Sequence, residues 1–104
     1  MGEVASLTGT QRRYLRGLAH GRAVIVQIGR VGWSEGLSRE LDGALTAHEL
    51  VKVRARVGDR EVRDELFNRL ATETSSTLVQ RVGNVGVFYR RCSERPRIVL
   101  PKGT

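Results

Sequence analysis

Apolar residues recur along this 104-residue chain with helical and strand-like periods that take turns. Between positions 9 and 20, Tyr14, Leu15 and Leu18 share one side of a predicted helix, and Arg12, Arg13 and Arg16 the other. Thr8-Gly9-Thr10-Gln11 reads as a capping box in front of it, and Gly21 as a cap behind it. Ala23 to Ile28 (AVIVQI) is an almost continuous apolar run, which predicts a central strand. Ser34 caps a second helix, with Glu35 suited to its positive end and Leu37, Leu41, Ala44, Leu45 and His48 on one stripe. On that stripe His48 is expected to be packed and hydrogen-bonded. Gly36 and Gly43 lie on a neighbouring line with Ala47. Each glycine costs about 1 kcal/mol against alanine in a helix, which predicts a close approach, to the sheet ahead of a ligand.

Val51 to Val57 alternates strictly: Val51, Val53, Ala55 and Val57 point one way, and Lys52, Arg54 and Arg56 the other. Gly58-Asp59 turns the chain into a third helix with Val62, Leu66, Leu70 and Ala71 as its buried stripe. Thr77 to Val82 and Val85 to Arg90 form a hairpin around Gly83-Asn84. Farther on, Ile98-Val99-Leu100-Pro101 is expected to dock on the domain while the last residues fray. The order α-β-α-β-α-β-β predicts a single α/β domain, a mixed four-stranded sheet with helices on one face. Lys52, Arg54 and Arg56 should then lie on the other, open face.

Composition adds a sign to that face. Eighteen Lys+Arg against 11 Asp+Glu give a formal net charge of +7, so polyanions are the expected partners. Apart from Lys52 and Lys102 every one of these cations is arginine, whose guanidinium suits bidentate phosphate contacts. A single cysteine, Cys92, excludes an internal disulfide and a multi-thiolate zinc site. There is neither a membrane-length apolar stretch nor a signal-peptide core, so a cytoplasmic setting is expected. Met1 to Ser6 fits the loose myristoylation pattern, a match expected by chance.

The candidate chemistry lies between the first strand and the second helix, at Gly29-Arg30-Val31-Gly32. Glycines let a backbone approach a ligand closely, the first N–H groups of a helix are unsatisfied donors, and Arg30 favours phosphate. Gly83-Asn84-Val85-Gly86 repeats the same spacing in a hairpin, so position and Arg30 distinguish the first copy. Trp33, next in the chain, suits either stacking on a base or covering the end of the core. The basic residues Arg12, Arg13 and Arg16 and the Lys52, Arg54 and Arg56 row would extend an anionic track, because like charges held on one strand face repel each other. No catalytic group is expected: His20 and His48 belong to different helix ends, and the acids mostly occupy first turns. Neither a P-loop nor a dinucleotide fingerprint is present, and no metal or cofactor is expected.

Four segments, QRRYLRGLAH (11–20), GRVGWSEG (29–36), HELVKV (48–53) and GVFYRR (86–91), together resemble the YhbY-like RNA-binding proteins, single-domain bacterial members of the CRM domain family. The resemblance spans about residues 7 to 101, and its HELVKV and Tyr-Arg segments are more specific than the glycine loop. It implies an open-faced α/β sandwich similar to the C-terminal domain of translation initiation factor 3. It also implies a G-x-x-G loop on a basic RNA-binding surface, and association with precursors of the large ribosomal subunit as an assembly factor. Carried over by residue, the loop is Gly29, Arg30, Val31 and Gly32, with Gly36 continuing the motif. Trp33 and Ser34 stand where leucine and threonine are usual in the family. The residues leave open two alternatives: another structured RNA, such as an intron or a regulatory RNA, or an adaptor role toward an acidic protein.

Overall fold

The computed structural model describes residues 6–103, so Met1 to Ala5 of the myristoylation-like stretch and Thr104 lie outside the described residues. In chain order the elements are α1 (Gly9–His20), β1 (Val24–Ile28), α2 (Glu35–His48), β2 (Leu50–Ala55), α3 (Arg60–Glu73), β3 (Thr77–Val82) and β4 (Val85–Tyr89). The starts of these helices follow local chemistry. The Thr8 hydroxyl and the Gln11 amide oxygen each accept a backbone N–H at 3.1 Å, closing the predicted capping box. Ser34 and Asp59 cap α2 and α3 by accepting from Leu37 and Val62.

The sheet is mixed, in the order β1-β2-β4-β3, with β1 parallel to β2 and the other pairs antiparallel. Its alternation sorts side chains onto two faces. Val26, Ile28, Val51, Val53, Ala55 and Phe88 meet the buried stripes of α2 and α3, including Leu41, Leu45, Phe67 and Leu70. Phe67 packs edge-on against Phe88, with ring centroids 5.8 Å apart. The opposite face presents Leu50, Val79, Val87 and Tyr89, which Leu15 and Ala19 of α1 and Ile98 of the C-terminal segment cover.

The four-stranded mixed sheet and three helices are as the sequence predicts, but the layering differs. Only α2 and α3 share a face; α1 and the docked C-terminal segment sit on the other, because Leu50, Val87 and Tyr89 require apolar cover there. β1 is an edge strand rather than a central one. Its apolar run reads as continuous because Ile25, 47% exposed, is an outward-facing apolar residue between half-buried Val24 and buried Val26. Tyr14 and Val62 are also exposed. His48 ends α2 in solvent, and Gly36 and Gly43 face outward with no close sheet contact.

One residue ties these layers together. Glu49 follows α2 in a left-handed conformation (φ 63°), and its side chain is completely buried. Its carboxylate accepts the N–H groups of Cys92, Arg97 and Ile98, each at 2.7 Å, and its carbonyl accepts the Arg90 N–H at 2.9 Å. Burial alone would push the carboxyl up. The three N–H groups outweigh that and, with the Arg97 charge, hold it below its usual value. Arg90 adds a second tie: its guanidinium donates to the Thr74 carbonyl at 2.8 Å and to the Thr46 hydroxyl at 3.0 Å, and it pairs with Asp42 at 2.6 Å.

Glu49→Gln should therefore cost about 2 kcal/mol at neutral pH, since a charged acceptor of three buried donors becomes an amide. Because the folded-state pKa lies below the unfolded one, this stabilisation is present above about pH 4.3, the ordinary glutamate value. It is lost as pH falls through the lower folded value. Denaturant titrations across pH should show the gap between wild type and Glu49→Gln narrowing in acid.

Candidate nucleic-acid interface

Three loops meet at one end of the sheet. The parallel pairing of β1 and β2 brings the loops after both strands to the same end, and the antiparallel β4 starts there, beside its hairpin turn. The Arg56 N–H donates to the Ile28 carbonyl at 2.9 Å and the Ala55 N–H to the Asn84 carbonyl at 2.7 Å, which sets the three turns side by side. Within the first, the Gly32 N–H donates to the Gly29 carbonyl at 3.1 Å, so Arg30 and Val31 form the tip of a tight turn. Both are exposed, Val31 to 92%. Gly32 has φ 79°, in the left-handed region where a side chain is strained; a Cβ on Gly29 would meet nothing within 4 Å.

Beyond this turn the helix start is partly satisfied already. The Ser34 hydroxyl takes the Leu37 N–H at 3.2 Å, and Glu35 places a carboxylate on the first turn. An anion here is therefore better served by Arg30 and the turn than by the helix end. Gly36 is exposed on α2 one residue farther along.

Of the two roles that suit Trp33, the structure gives it the one of covering the core. It is half-buried against the α2–α3 core, and the Arg69 guanidinium lies 3.8 Å from its ring centroid. One face of the indole is thus occupied by a cation of this chain.

The predicted basic residues fall into two groups. Arg12 donates to the Leu78 and Val79 carbonyls at 3.3 and 3.4 Å, so it fastens α1 to the β3 edge. Lys52 donates to the Arg22 carbonyl at 3.1 Å. By contrast, Arg13, Arg16, Arg30, Arg54 and Arg56 make no side-chain hydrogen bond or ion pair among the described residues. Arg54 pairs in register with Gln27 of β1 and Val85 of β4. It lies on the half of the second sheet face that α1 and the C-terminal segment do not cover, and Arg56 follows it toward the loop. Arg13 and Arg16 lie apart from this loop end, on α1.

Two cations near this surface were not predicted as part of it. Arg69 is identifiable only through its contact with Trp33. Arg81 pairs with Asp64 and donates to the Gly83 carbonyl at 2.8 Å, bracing the hairpin turn. Among the described residues no group of three or more His, Cys, Asp or Glu could hold a metal ion, and no helix is long and apolar enough to cross a membrane.

Known proteins share this sequence and this shape. Residues 7–90 match the family described as the CRS1 / YhbY (CRM) domain. The chain is 37% identical over 99 residues to a Haemophilus influenzae protein named as an RNA-binding protein, covering 95% of this chain and 99% of that one. It is 36% identical over 95 residues to the Bacillus subtilis protein named "Probable RNA-binding protein YqeI", covering 91% and 99% of the two chains. The solution structure of a Staphylococcus aureus protein, for which RNA binding has been suggested, superposes with a TM-score of 0.80 at 41% identity. That match covers 92% of this chain and all of the other.

The turn and the indole make separable predictions. Gly32→Ala should cost about 1 kcal/mol because of its positive φ, while Gly29→Ala should stay within about 0.5 kcal/mol of wild type; thermal unfolding distinguishes them. Arg69→Ala should shift the emission of Trp33, the sole tryptophan, to the red as one ring face meets water. The accompanying stability loss should stay within about 1 kcal/mol.

Proposed function

This chain belongs to the CRS1/YhbY (CRM) domain family, and from that premise we propose that it acts as a single, non-catalytic RNA-binding domain in the cytoplasm. The observation that carries the reading is the set of arginines without partners among the described residues. Arg30, Arg54 and Arg56 gather at the loop end of the sheet, next to an uncovered half-face, and Arg13 and Arg16 add positive charge on α1. Mutual repulsion makes such a cluster unfavourable in isolation, and a polyanion relieves it. The names borne by the relatives agree with RNA as that polyanion.

In this reading RNA phosphates lie at the Gly29–Gly32 turn with Arg30 as the charged clamp, and the backbone continues over Arg54 and Arg56. Contacts of this kind position a strand without reading its bases. We extend the reading to precursor RNA of the large ribosomal subunit, with the protein assisting assembly, because that is the role the family resemblance implies.

If about five phosphates are neutralised, affinity for a single strand should fall on the order of a hundredfold between 50 and 200 mM salt. Arg30→Ala should weaken binding to unrelated RNA sequences by similar factors and lower the log–log salt slope by about 0.7. Filter-binding titrations measure both, and a flat salt response overturns the reading. Cosedimentation of the endogenous protein with pre-ribosomal particles tests the assembly role. Partners that persist after complete nuclease digestion would instead support an acidic protein as the ligand.

A further inference from the structure

A second basic site lies at the other end of β1. A groove of about 340 Å³ opens there among β1, the start of β2 and the C-terminal segment. Its walls include Arg22, His48, Lys52 and Arg97 over apolar Ile25 and Leu50, and no carboxylate lines it. The Arg22 guanidinium donates to the carbonyls of Leu50 at 3.0 Å and His48 at 3.4 Å. Lys52 donates to the Arg22 carbonyl at 3.1 Å, and the Arg97 guanidinium donates to the Ala47 carbonyl. Cations are at home beside the carbonyls that end α2.

That capping role accounts for the position of these groups but not for their number. Each head group spends a single nitrogen on these bonds, whereas an ammonium carries three donors and a guanidinium five. Three cations set over an apolar floor repel one another, and of the three only Arg97 has the Glu49 charge beside it. The half-exposed Ile25 on the edge strand belongs to neither core cluster. An anion seated in the groove would satisfy the spare donors and offset the repulsion, and its attached sugar would cover Ile25.

We propose that this groove is a second backbone-phosphate site for the same RNA strand that the glycine turn holds, an inference that rests on the RNA-binding reading above. Lys52 and Arg54 lie on one sheet face, and the five residues of β1 span about 17 Å between the groove and the loop. Half-exposed Arg54, with Gln27 beside it in register, lies along that path. A single strand laid parallel to β1 passes from Arg22, Lys52 and Arg97 over Arg54 to Arg30. The protein thereby grips RNA at two points, and the span between them sets a minimum length for tight binding.

The test compares Ile25→Gln with Ile25→Glu, two side chains of nearly one shape that differ in charge. The probe is an oligouridine of about ten nucleotides. Ile25→Gln, which gives up only the apolar contact with the sugar, should bind a few-fold more weakly than wild type with its salt slope unchanged. Ile25→Glu should bind on the order of tenfold more weakly. If it cancels two phosphate contacts, its log–log salt slope should fall by about 1.4, so that sensitivity between 50 and 200 mM drops about sevenfold. Equal affinity and slope in the two variants, beside a salt-dependent wild type, overturn the groove and leave RNA binding standing. A wild type with no salt dependence removes the RNA reading itself. Thermal unfolding checks that both variants fold. Should Ile25→Glu unfold, the Lys52→Gln/Arg97→Gln double variant must show the same slope loss, and an unchanged slope there rejects the site.

Discussion

The three backbone N–H groups gathered on the Glu49 carboxylate hold together pieces that are far apart in sequence. Glu49 sits where α2 hands over to β2, and its partners Cys92, Arg97 and Ile98 belong to the C-terminal segment. A buried carboxylate is tolerable only when its lone pairs are satisfied, so segment and strand must come together or neither arrangement persists. Once they do, Ile98 reaches Leu50 and Tyr89 alongside Leu15, and one half of the second sheet face is closed. The other half stays open beside the loops. The location of the candidate interface is thus a consequence of how far this cover extends. Tyr89, packed beneath it, has its phenol raised by burial and then by the Glu49 charge, so it remains neutral.

Positive charge in this protein divides by what it touches. Arg12, Arg22, Arg90 and Arg97 all donate to backbone carbonyls and act as struts of the frame. In Arg12 and Arg90 the rigid fork of donors to carbonyls is the main role, whereas Arg22 and Arg97 keep donors to spare at the groove beside β1. Arg13, Arg16, Arg30, Arg54 and Arg56 lack such ties among the described residues. Net charge alone mixes the two groups, which is why a count of basic residues points to a class of partner but not to a place. The HELVKV and Tyr-Arg segments, which carry the family resemblance, contain Glu49 and Arg90. Both residues belong to the frame, whereas the glycine turn and its arginine carry the proposed contact.

Much of this was legible where the determining interactions are local. The capping box at Thr8, the stripe of α2 from Leu37 to Leu45, the alternation of β2 and the Gly83-Asn84 turn each depend on neighbours within a few residues. What escaped depends on distant partners. Alternation told that Lys52 and Arg54 face away from Val51 and Val53, but not that α1 would share their side. Leu50, just before the alternating run, shows why: it needs cover on that side, and only tertiary structure supplies it. Phe67 is not legible locally because its importance lies in an aromatic contact with Phe88, twenty-one positions away by their numbering. His48 follows the α2 stripe in register, yet the helix ends at that residue and leaves it in solvent. Glu49 reads in the sequence as an isolated acid between a histidine and a leucine, because its three donors lie in a segment more than forty residues on.

The two G-x-x-G spacings show how the same letters separate in three dimensions. In the second copy Gly86 is a buried position within β4, where a Cβ would come within 3.2 Å of the Phe67 ring. That glycine makes room for the core, and Gly83 makes the hairpin turn with φ 59°. In the first copy Gly32 bends the turn, while a side chain on Gly29 would point into open space. Space around Gly29 and a projecting Arg30 suit an approaching phosphate; Gly83 has the same space, but its turn carries Asn84 where the first carries Arg30. Trp33 sharpens the same contrast, because Arg69 already occupies a face of its ring and joins it to the core. A turn whose neighbouring aromatic is committed to packing grips by backbone and guanidinium, and such a grip holds strands of differing sequence alike.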